Sequence, residues 1–225
     1  MGHICCYEGI SLKNQRTVNM DSLLLKERAI QGEKLYLAVV CDGVGSLEEG
    51  AYAAGAAVRM LNNWFENLED TNGLGLRLQD CVSNINLAVF AVSKRKQIKT
   101  ACTLSCLLLT EDRYYVVHVG DSRIYLFQNA AARQLTKDQV REGRLSSAIG
   151  HKEELTACYT EGIVGEGQRF LLCSDGLYKR MSPEFLNAAV QRANRWNMKK
   201  ILHLLAEHVI ERGEQDNISA ALLIY

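Results

Sequence analysis

Runs of consecutive apolar residues, rich in β-branched and aromatic side chains, recur along the chain and are separated by polar segments. This pattern is typical of strands that are buried on both faces. It predicts strands at residues 35–41, 101–110, 113–119, 123–127, 169–173 and 217–225. A large part of the core is therefore expected to be β-sheet.

Other segments carry apolar residues three or four positions apart, which is the spacing of one helix face. They lie at Leu78, Val82, Ile85, Val89 and Val92, at Met198, Ile201, Leu205 and Val209, and from Ala53 through Ala57 to Leu61 and Trp64. Ser182 followed by Pro183 is a typical helix start, with serine as the cap and proline at the first helical position. We expect the helices in pairs, at about 50–95 and 183–212.

The order of these elements indicates the fold class. Strands cluster between and beyond the helix pairs and do not alternate with single helices, which favours an α+β fold with layers of mainly antiparallel sheet covered by helices. The chain has 225 residues, one proline and no Gly/Ser-rich segment that would mark a linker. A single domain over residues 1–225 is expected.

Charge and cysteine usage narrow the classes of partner. The 26 basic and 26 acidic residues balance, so there is no excess positive charge for binding nucleic acid or anionic lipid. The sequence shows no signal-peptide pattern and no apolar stretch of membrane-spanning length. Most of the eight cysteines lie inside apolar runs, as expected for buried thiols in a reducing compartment. These features predict a cytoplasmic protein without nucleic-acid or membrane partners.

Four aspartates stand at the ends of the most apolar predicted strands. Asp42, Asp121 and Asp175 follow such runs, and Asp216 directly precedes another. An ionised carboxylate beside a core is costly unless a cation pairs with it. If neighbouring antiparallel strands carry these residues, all four carboxylates meet at one edge of the sheet.

Carboxylates without interleaved histidine or cysteine suit Mg²⁺ or Mn²⁺ better than Zn²⁺ or copper. Two such ions sharing one carboxylate would activate a water molecule, and a phosphate ester is the natural target of that water. Gly43, Gly120 and Gly176 beside the aspartates would allow sharp turns and close backbone approach. A single Asp-Gly pair is better interpreted as a tight turn, whereas four aspartates at strand ends favour a metal site.

Five short motifs occur in an order that resembles the metal-dependent protein phosphatases of the protein phosphatase 2C type. They are Arg16 to Asp21, Cys41-Asp42-Gly43-Val44-Gly45, Gly120-Asp121-Ser122-Arg123, Cys173-Ser174-Asp175-Gly176-Leu177 and Gln215-Asp216-Asn217-Ile218-Ser219. The resemblance spans residues 8–225. It implies a four-layer αββα sandwich, with two antiparallel sheets between helix pairs, and a serine/threonine phosphoprotein phosphatase similar to bacterial single-domain members.

The resemblance also implies a set of metal ligands. Asp42 would bridge two Mn²⁺ or Mg²⁺ ions, with the Gly43 carbonyl on one of them. Asp175 and Asp216 would bind the other ion. Asp21 would act near the metals through their waters.

Two further residues and the partners follow from the same resemblance. Asp121 would help to hold a third, weaker ion. Arg16 would grip the substrate phosphate, for which its guanidinium fork is well shaped; Arg16 and Asp42 are therefore the expected catalytic residues. The implied substrate is a phosphorylated protein, so that the chain opposes a Ser/Thr kinase, and we expect a monomer.

Several positions depart from the family pattern, among them Ala101 and Cys102, which stand where a glycine and a hydroxyl residue usually precede the threonine. Met20 stands where an acidic residue usually precedes the aspartate, Ser46 replaces the second glycine of a Gly-Gly pair, and Val44 stands where many eukaryotic members have a histidine. Loss of the acid at Met20 would loosen a metal-held water and slow turnover. The alternative is therefore a low-activity or non-catalytic member that binds phosphoproteins as a regulator.

Two more expectations concern the reaction class and the substrate. The neutral charge and the order of the motifs oppose a polymerase-like or nuclease-like two-metal enzyme. The segment 137–152 corresponds to a mobile flap beside the site in bacterial relatives. It is short here, which would leave the site open to a protruding phosphoprotein loop.

Overall fold

The computed structural model describes residues 5–44 and 49–225, so that Gly45 and Ser46 of the second motif lie outside the described residues. The strands are β1 (Cys6–Leu12), β2 (Ser22–Ile30), β3 (Glu33–Cys41), β4 (Leu104–Leu109), β5 (Arg113–Val119), β6 (Arg123–Gln128), β7 (Ala131–Gln134), β8 (Val140–Arg141), β9 (Arg144–Leu145), β10 (Cys158–Ile163), β11 (Arg169–Cys173) and β12 (Ile218–Ile224). The helices are α1 (Gly50–Glu66), α2 (Leu74–Lys96), α3 (Asp175–Tyr178), α4 (Pro183–Gln191) and α5 (Met198–Glu211).

The strands form two large antiparallel sheets. One has the order β1-β12-β11-β6-β7 and the other the order β10-β5-β4-β3-β2, while β8 and β9 form a separate two-stranded hairpin. In the second sheet, Val39 of β3 lies opposite Leu24 of β2 and Cys106 of β4. Apolar side chains thus lie side by side in the middle of the sheet.

Three hydrophobic clusters separate four layers. Phe65 of α1 and Leu78 of α2 pack on one face of the second sheet. Leu107 and Phe170 lie between the two sheets, and Leu205 of α5 packs on the outer face of the first sheet. Each fully buried side chain of this size stabilises the fold by about 1.5–3 kcal/mol. The predicted α+β fold, a four-layer αββα sandwich, is confirmed.

The structure differs from the sequence prediction mainly at the sheet edges. β2, β7 and β10 were not among the predicted strands, and each lies at the edge of its sheet, where exposure breaks up the apolar run. The strand expected at 101–110 begins only at Leu104, because Cys102 instead forms isolated bridges with Gly43 and Ile149. Among the described residues, no helix is both long and apolar enough to cross a membrane.

Candidate metal centre

The site predicted from the sequence lies in an open cleft with a volume of about 1100 Å³. The predicted residues that line this cleft are Arg16, Asp42, Gly43, Asp121, Asp175 and Asp216. Asp21 is buried, and its carboxylate lies in the electrostatic field of Asp175 and Asp216. The structure therefore brings together the residues that the motifs singled out.

The strand order explains why the carboxylates meet. β3 and β5 both pair with β4, so they run in the same direction and end at the same edge, where Asp42 and Asp121 follow them. In the other sheet β11 pairs with β12, which places Asp175 after one strand and Asp216 before the next. The expectation that neighbouring strands of one sheet carry all four carboxylates was wrong, since each sheet contributes two.

Asp42 is half-buried in the wall of the cleft. Its backbone N–H donates to the hydroxyl of Thr103 at 3.0 Å, and its carbonyl accepts from the Thr103 N–H at 2.8 Å. Burial and the charges of Asp21, Asp175 and Asp121 raise the pKa of the Asp42 carboxyl well above its ordinary value. A carboxylate in such surroundings is stabilised by a cation.

Gly43 leaves no room for a side chain. A Cβ there would lie 2.6 Å from the Gly50 carbonyl carbon and 2.8 Å from the Met20 carbonyl oxygen, which are backbone atoms that cannot turn away. The Gly43 N–H donates to that same Met20 oxygen at 3.3 Å, and the Met20 N–H donates to Asn217 Oδ1 at 2.9 Å. Met20, which replaces an acidic residue of the family pattern, thus holds the site together through its backbone.

Asp21 links the two sheets. It directly precedes β2, and its Oδ2 accepts a hydrogen bond of 2.9 Å from the Ser174 hydroxyl, which follows β11. The Ser174 hydroxyl in turn accepts from the Ser219 N–H at 3.0 Å. Burial raises the pKa of Asp21 to about 6, although the hydrogen bonds from Ser219 and Ser174 favour its charged form.

Asp216 is bonded to the guanidinium of Arg16 through both of its oxygens. Arg16 Nε donates to Oδ1 at 3.0 Å and Nη2 to Oδ2 at 2.9 Å; this hydrogen bonding raises the pKa of Arg16. Asn217 fixes the loop that carries Arg16, because its Nδ2 donates to the carbonyls of Lys13 and Val18 at 2.8 and 3.0 Å. Arg16, the expected phosphate-gripping residue, therefore contacts a predicted metal ligand in this structure.

Asp175 opens α3 and is bonded to Lys179, one helical turn later. The glycine that follows Asp175 is required by close packing, since a Cβ on Gly176 would lie 2.1 Å from the Asn217 carbonyl oxygen. Lys179 was not predicted from the sequence. Its spacing of four residues from Asp175 is the signal that could have found it, because such residues face each other on a helix.

The donor set fits a hard divalent cation, although the side chains are not arranged around one. Within residues 5–44 and 49–225, no three His, Cys, Asp or Glu side chains are grouped to hold a single ion. Two predicted ligands are paired with Arg16 and Lys179 instead. The Arg16 and Asp216 side chains are 55% and 38% exposed, and such exposed pairs contribute at most about 1 kcal/mol. A divalent cation can therefore displace Arg16 from Asp216 at little cost, and oxygen-only ligands suit Mg²⁺ or Mn²⁺.

His118 and the cysteines lie outside the ligand set. His118 is buried, its Nε2–H donates to the Gly120 carbonyl at 3.0 Å, and its Nδ1 lies 3.0 Å from the Ser105 hydroxyl. Burial lowers the pKa of His118 to about 4, which makes it a neutral sheet histidine. Five of the eight cysteines are buried, namely Cys5, Cys41, Cys102, Cys106 and Cys173.

Comparison with known proteins points to one family. The family model described as protein phosphatase 2C matches residues 9–212, most of the chain. The chain is 27% identical over 207 residues to the serine/threonine protein phosphatase PstP of Mycobacterium tuberculosis, a match that covers 83% of this chain and 40% of PstP. It is also 27% identical over 216 residues to the serine/threonine phosphatase stp of Listeria innocua, with 85% of each chain covered. The chain thus spans less than half the length of PstP and most of the length of stp.

Comparison with a solved structure agrees with the family match. The crystal structure of the catalytic domain of serine/threonine protein phosphatase PstP, in complex with two manganese ions, superposes with a TM-score of 0.83 at 26% identity. The superposition covers 98% of this chain and 97% of that one. The four-layer architecture is therefore shared over nearly the whole chain.

Proposed function

The chain belongs to the protein phosphatase 2C family, and from this we propose that it hydrolyses phosphoserine and phosphothreonine in proteins with two Mn²⁺ or Mg²⁺ ions. The observation that carries the proposal is the surroundings of Asp42. Burial and four neighbouring aspartates, Asp21, Asp175, Asp121 and Asp216, raise the pKa of its carboxyl. Divalent cations are the natural partners of carboxylates crowded in this way.

Each ligand has a proposed place. Asp42, the Gly43 carbonyl, Asp175 and Asp216 would hold the two ions, and Asp21 would act through their waters. When bound, the ions supply the charge that activates a water molecule for direct attack on phosphorus. The hydrogen bonds of the Asp42 backbone to Thr103 support the proposed role of Asp42 as a metal ligand. They hold the main chain that carries its carboxylate in place before any ion binds.

Arg16 is proposed to bind the substrate phosphate. Its side chain is exposed and lines the cleft, and its guanidinium already binds the two oxygens of a carboxylate in the bidentate way that it would bind a phosphate. Once Asp216 serves a metal, the guanidinium is free to face the cleft. Asp121 as a ligand of a third ion stays a prediction.

The proposed substrate is a loop of a phosphorylated protein. The β8–β9 hairpin has only two residues in each strand, and Val140, Arg144 and Leu145 line the cleft. A short hairpin leaves room for a protruding chain. Opposition to a Ser/Thr kinase, a monomeric state and a cytoplasmic location stay predictions from the sequence.

Hydrolysis assays with p-nitrophenyl phosphate and a phosphothreonine peptide test the proposal. Phosphate release by the wild type is expected with Mn²⁺ and is expected to stop when EDTA is added. Asp42→Asn should be inactive, while Lys200→Met, a change of an exposed lysine on α5, should match the wild type. An inactive wild type that still binds Mn²⁺ would overturn the proposal in favour of the non-catalytic phosphoprotein-binding alternative. A preference for the small ester by orders of magnitude would reject the protein-loop substrate.

A further inference from the structure

Lys179 is a basic residue of the cleft for which the proposed reaction has so far given no role. It follows directly after α3, and its ammonium donates to Oδ2 of Asp175, the residue that opens this helix. The Asp175 side chain is 15% exposed, against 55% for Lys179. The lysine therefore reaches from the solvent side into a mostly buried carboxylate.

The lysine is surrounded by more than one carboxylate. Lys179, Asp121 and Asp175 line the same cleft, and the ammonium is attracted by Asp121 and Asp42 as well as by Asp175. The attraction is mutual, since Lys179 is the basic group that lowers the pKa of Asp121 against the effect of burial. Lys179 thus lies against Asp175 and in the electrostatic field of Asp121.

The family resemblance implies that Asp121 helps to hold a third, weaker ion. Lys179 already provides a positive charge that interacts with both Asp121 and Asp175. Only Oδ2 of Asp175 is bonded to the lysine, which leaves Oδ1 for one ion of the proposed pair. The lysine and a metal ion can therefore share Asp175, unlike Arg16, which binds both oxygens of Asp216.

We propose that the Lys179 ammonium takes the place of the third divalent cation, so that the site of this chain holds two ions and a built-in positive charge. The inference rests on the proposed two-metal function. A lysine cannot dissociate, so this third charge is present at any metal concentration.

The test is the number of Mn²⁺ ions bound per chain, measured by equilibrium dialysis of metal-free protein and elemental analysis. The wild type should bind two ions. Lys179→Met should bind three, the third at higher Mn²⁺ concentration, and Lys179→Gln should do the same. Lys179→Arg and the exposed control Lys200→Met should bind two, and the double variant Lys179→Met with Asp121→Asn should return to two.

Three ions in the wild type, or two in both uncharged Lys179 variants, would overturn the inference while leaving the two-metal proposal intact. A wild type that binds no Mn²⁺, or an Asp42→Asn variant that binds as many ions as the wild type, would instead overturn the proposed function. Because Lys179 is exposed and its aliphatic chain belongs to no core cluster, the variants are expected to fold, which far-ultraviolet circular dichroism would check.

Discussion

At the scale of single residues, three carboxylates of the site are each bonded to a side chain from a defined segment. Asp216 is bonded to Arg16 of the β1–β2 loop, Asp175 to Lys179, and Asp21 to the hydroxyl of Ser174. The first two partners are cations and the third is neutral. If Asp216 binds a metal as proposed, either oxygen that it uses is one bonded to Arg16, and the proposed metal site and the proposed phosphate-binding group would be coupled.

Arg16→Ala should weaken substrate binding and leave metal binding intact. Loss of a charge-assisted hydrogen bond costs about 1.5–3 kcal/mol, so kcat/KM should fall roughly tenfold to a hundredfold. The Mn²⁺ affinity should stay the same or rise slightly, because Asp216 loses a competing partner. Arg16→Lys is the matched control, which keeps the charge without the bidentate fork. Titration calorimetry that showed Mn²⁺ affinity falling together with kcat/KM would assign Arg16 to the metal site instead.

His118 should make stability depend on pH. Its folded pKa of about 4 lies below the ordinary value of 6.5, so the neutral form is favoured in the fold and its stabilising contribution is lost as pH falls from about 6.5 to about 4. The loss amounts to roughly 3 kcal/mol. His118→Asn should be less stable than the wild type at about pH 7, and this deficit should shrink by that amount by about pH 4. Urea unfolding that showed the same difference at both pH values would contradict the account.

The aspartates could be predicted from the sequence because a charged residue directly beside a buried strand is rarely there for packing. Lys179 could not be predicted in the same way. Its spacing of four residues from Asp175 hints at a contact, but a lysine at the end of a short helix is common on protein surfaces. The fold is needed to show that its ammonium lies against Asp175 and interacts with Asp121. The role of the Met20 backbone was equally hidden, because hydrogen bonds of main-chain atoms leave no trace in residue type.

At the scale of secondary structure, the sequence predicted the central elements and missed the peripheral ones. Central strands are buried on both faces and give continuous apolar runs, as β4 does with six buried residues. The edge strand β10 alternates between half-buried and exposed positions, a weak pattern in six residues. The four-residue helix α3 is too short for any periodicity, yet it carries Asp175.

The capping of α4 offers a test at this scale. The Ser182 hydroxyl accepts from the Phe185 N–H at 3.2 Å, with Pro183 at the first helical position. Ser182→Ala should reduce the free energy of unfolding by about 1 kcal/mol. Ser182→Thr should retain most of the stabilisation that the serine cap provides. Because α4 packs on the helix face of the first sheet through Leu186 and Ala189, turnover at saturating Mn²⁺ should not change. An unchanged melting temperature of Ser182→Ala would refute the stabilising role of the cap. A loss of turnover in a variant that is as stable as the wild type would refute the separation of α4 from the site.

At the scale of the whole molecule, the candidate site depends on the way the two sheets face each other. Asp42 and Asp121 come from one sheet, and Asp175 and Asp216 from the other. The hydrogen bond between Asp21 and Ser174 joins the start of β2 in one sheet to the end of β11 in the other. The hydrogen bonds of Asn217 hold the β1–β2 loop against the start of β12. The sequence predicted two sheets through the family resemblance, but not that the carboxylates would be divided between them, because strand order is not encoded in the local pattern.

The most direct test of the two-metal account is the turnover of three matched variants at saturating Mn²⁺, with thermal unfolding to confirm that each is folded. Asp42→Asn should lower kcat by about a thousandfold or more, because the bridging carboxylate is lost, and Asp216→Asn by about a hundredfold. Asp121→Asn should lower it by about tenfold or less, since the bridged pair stays in place. An equal loss in all three variants, or full activity in Asp42→Asn, would contradict the account.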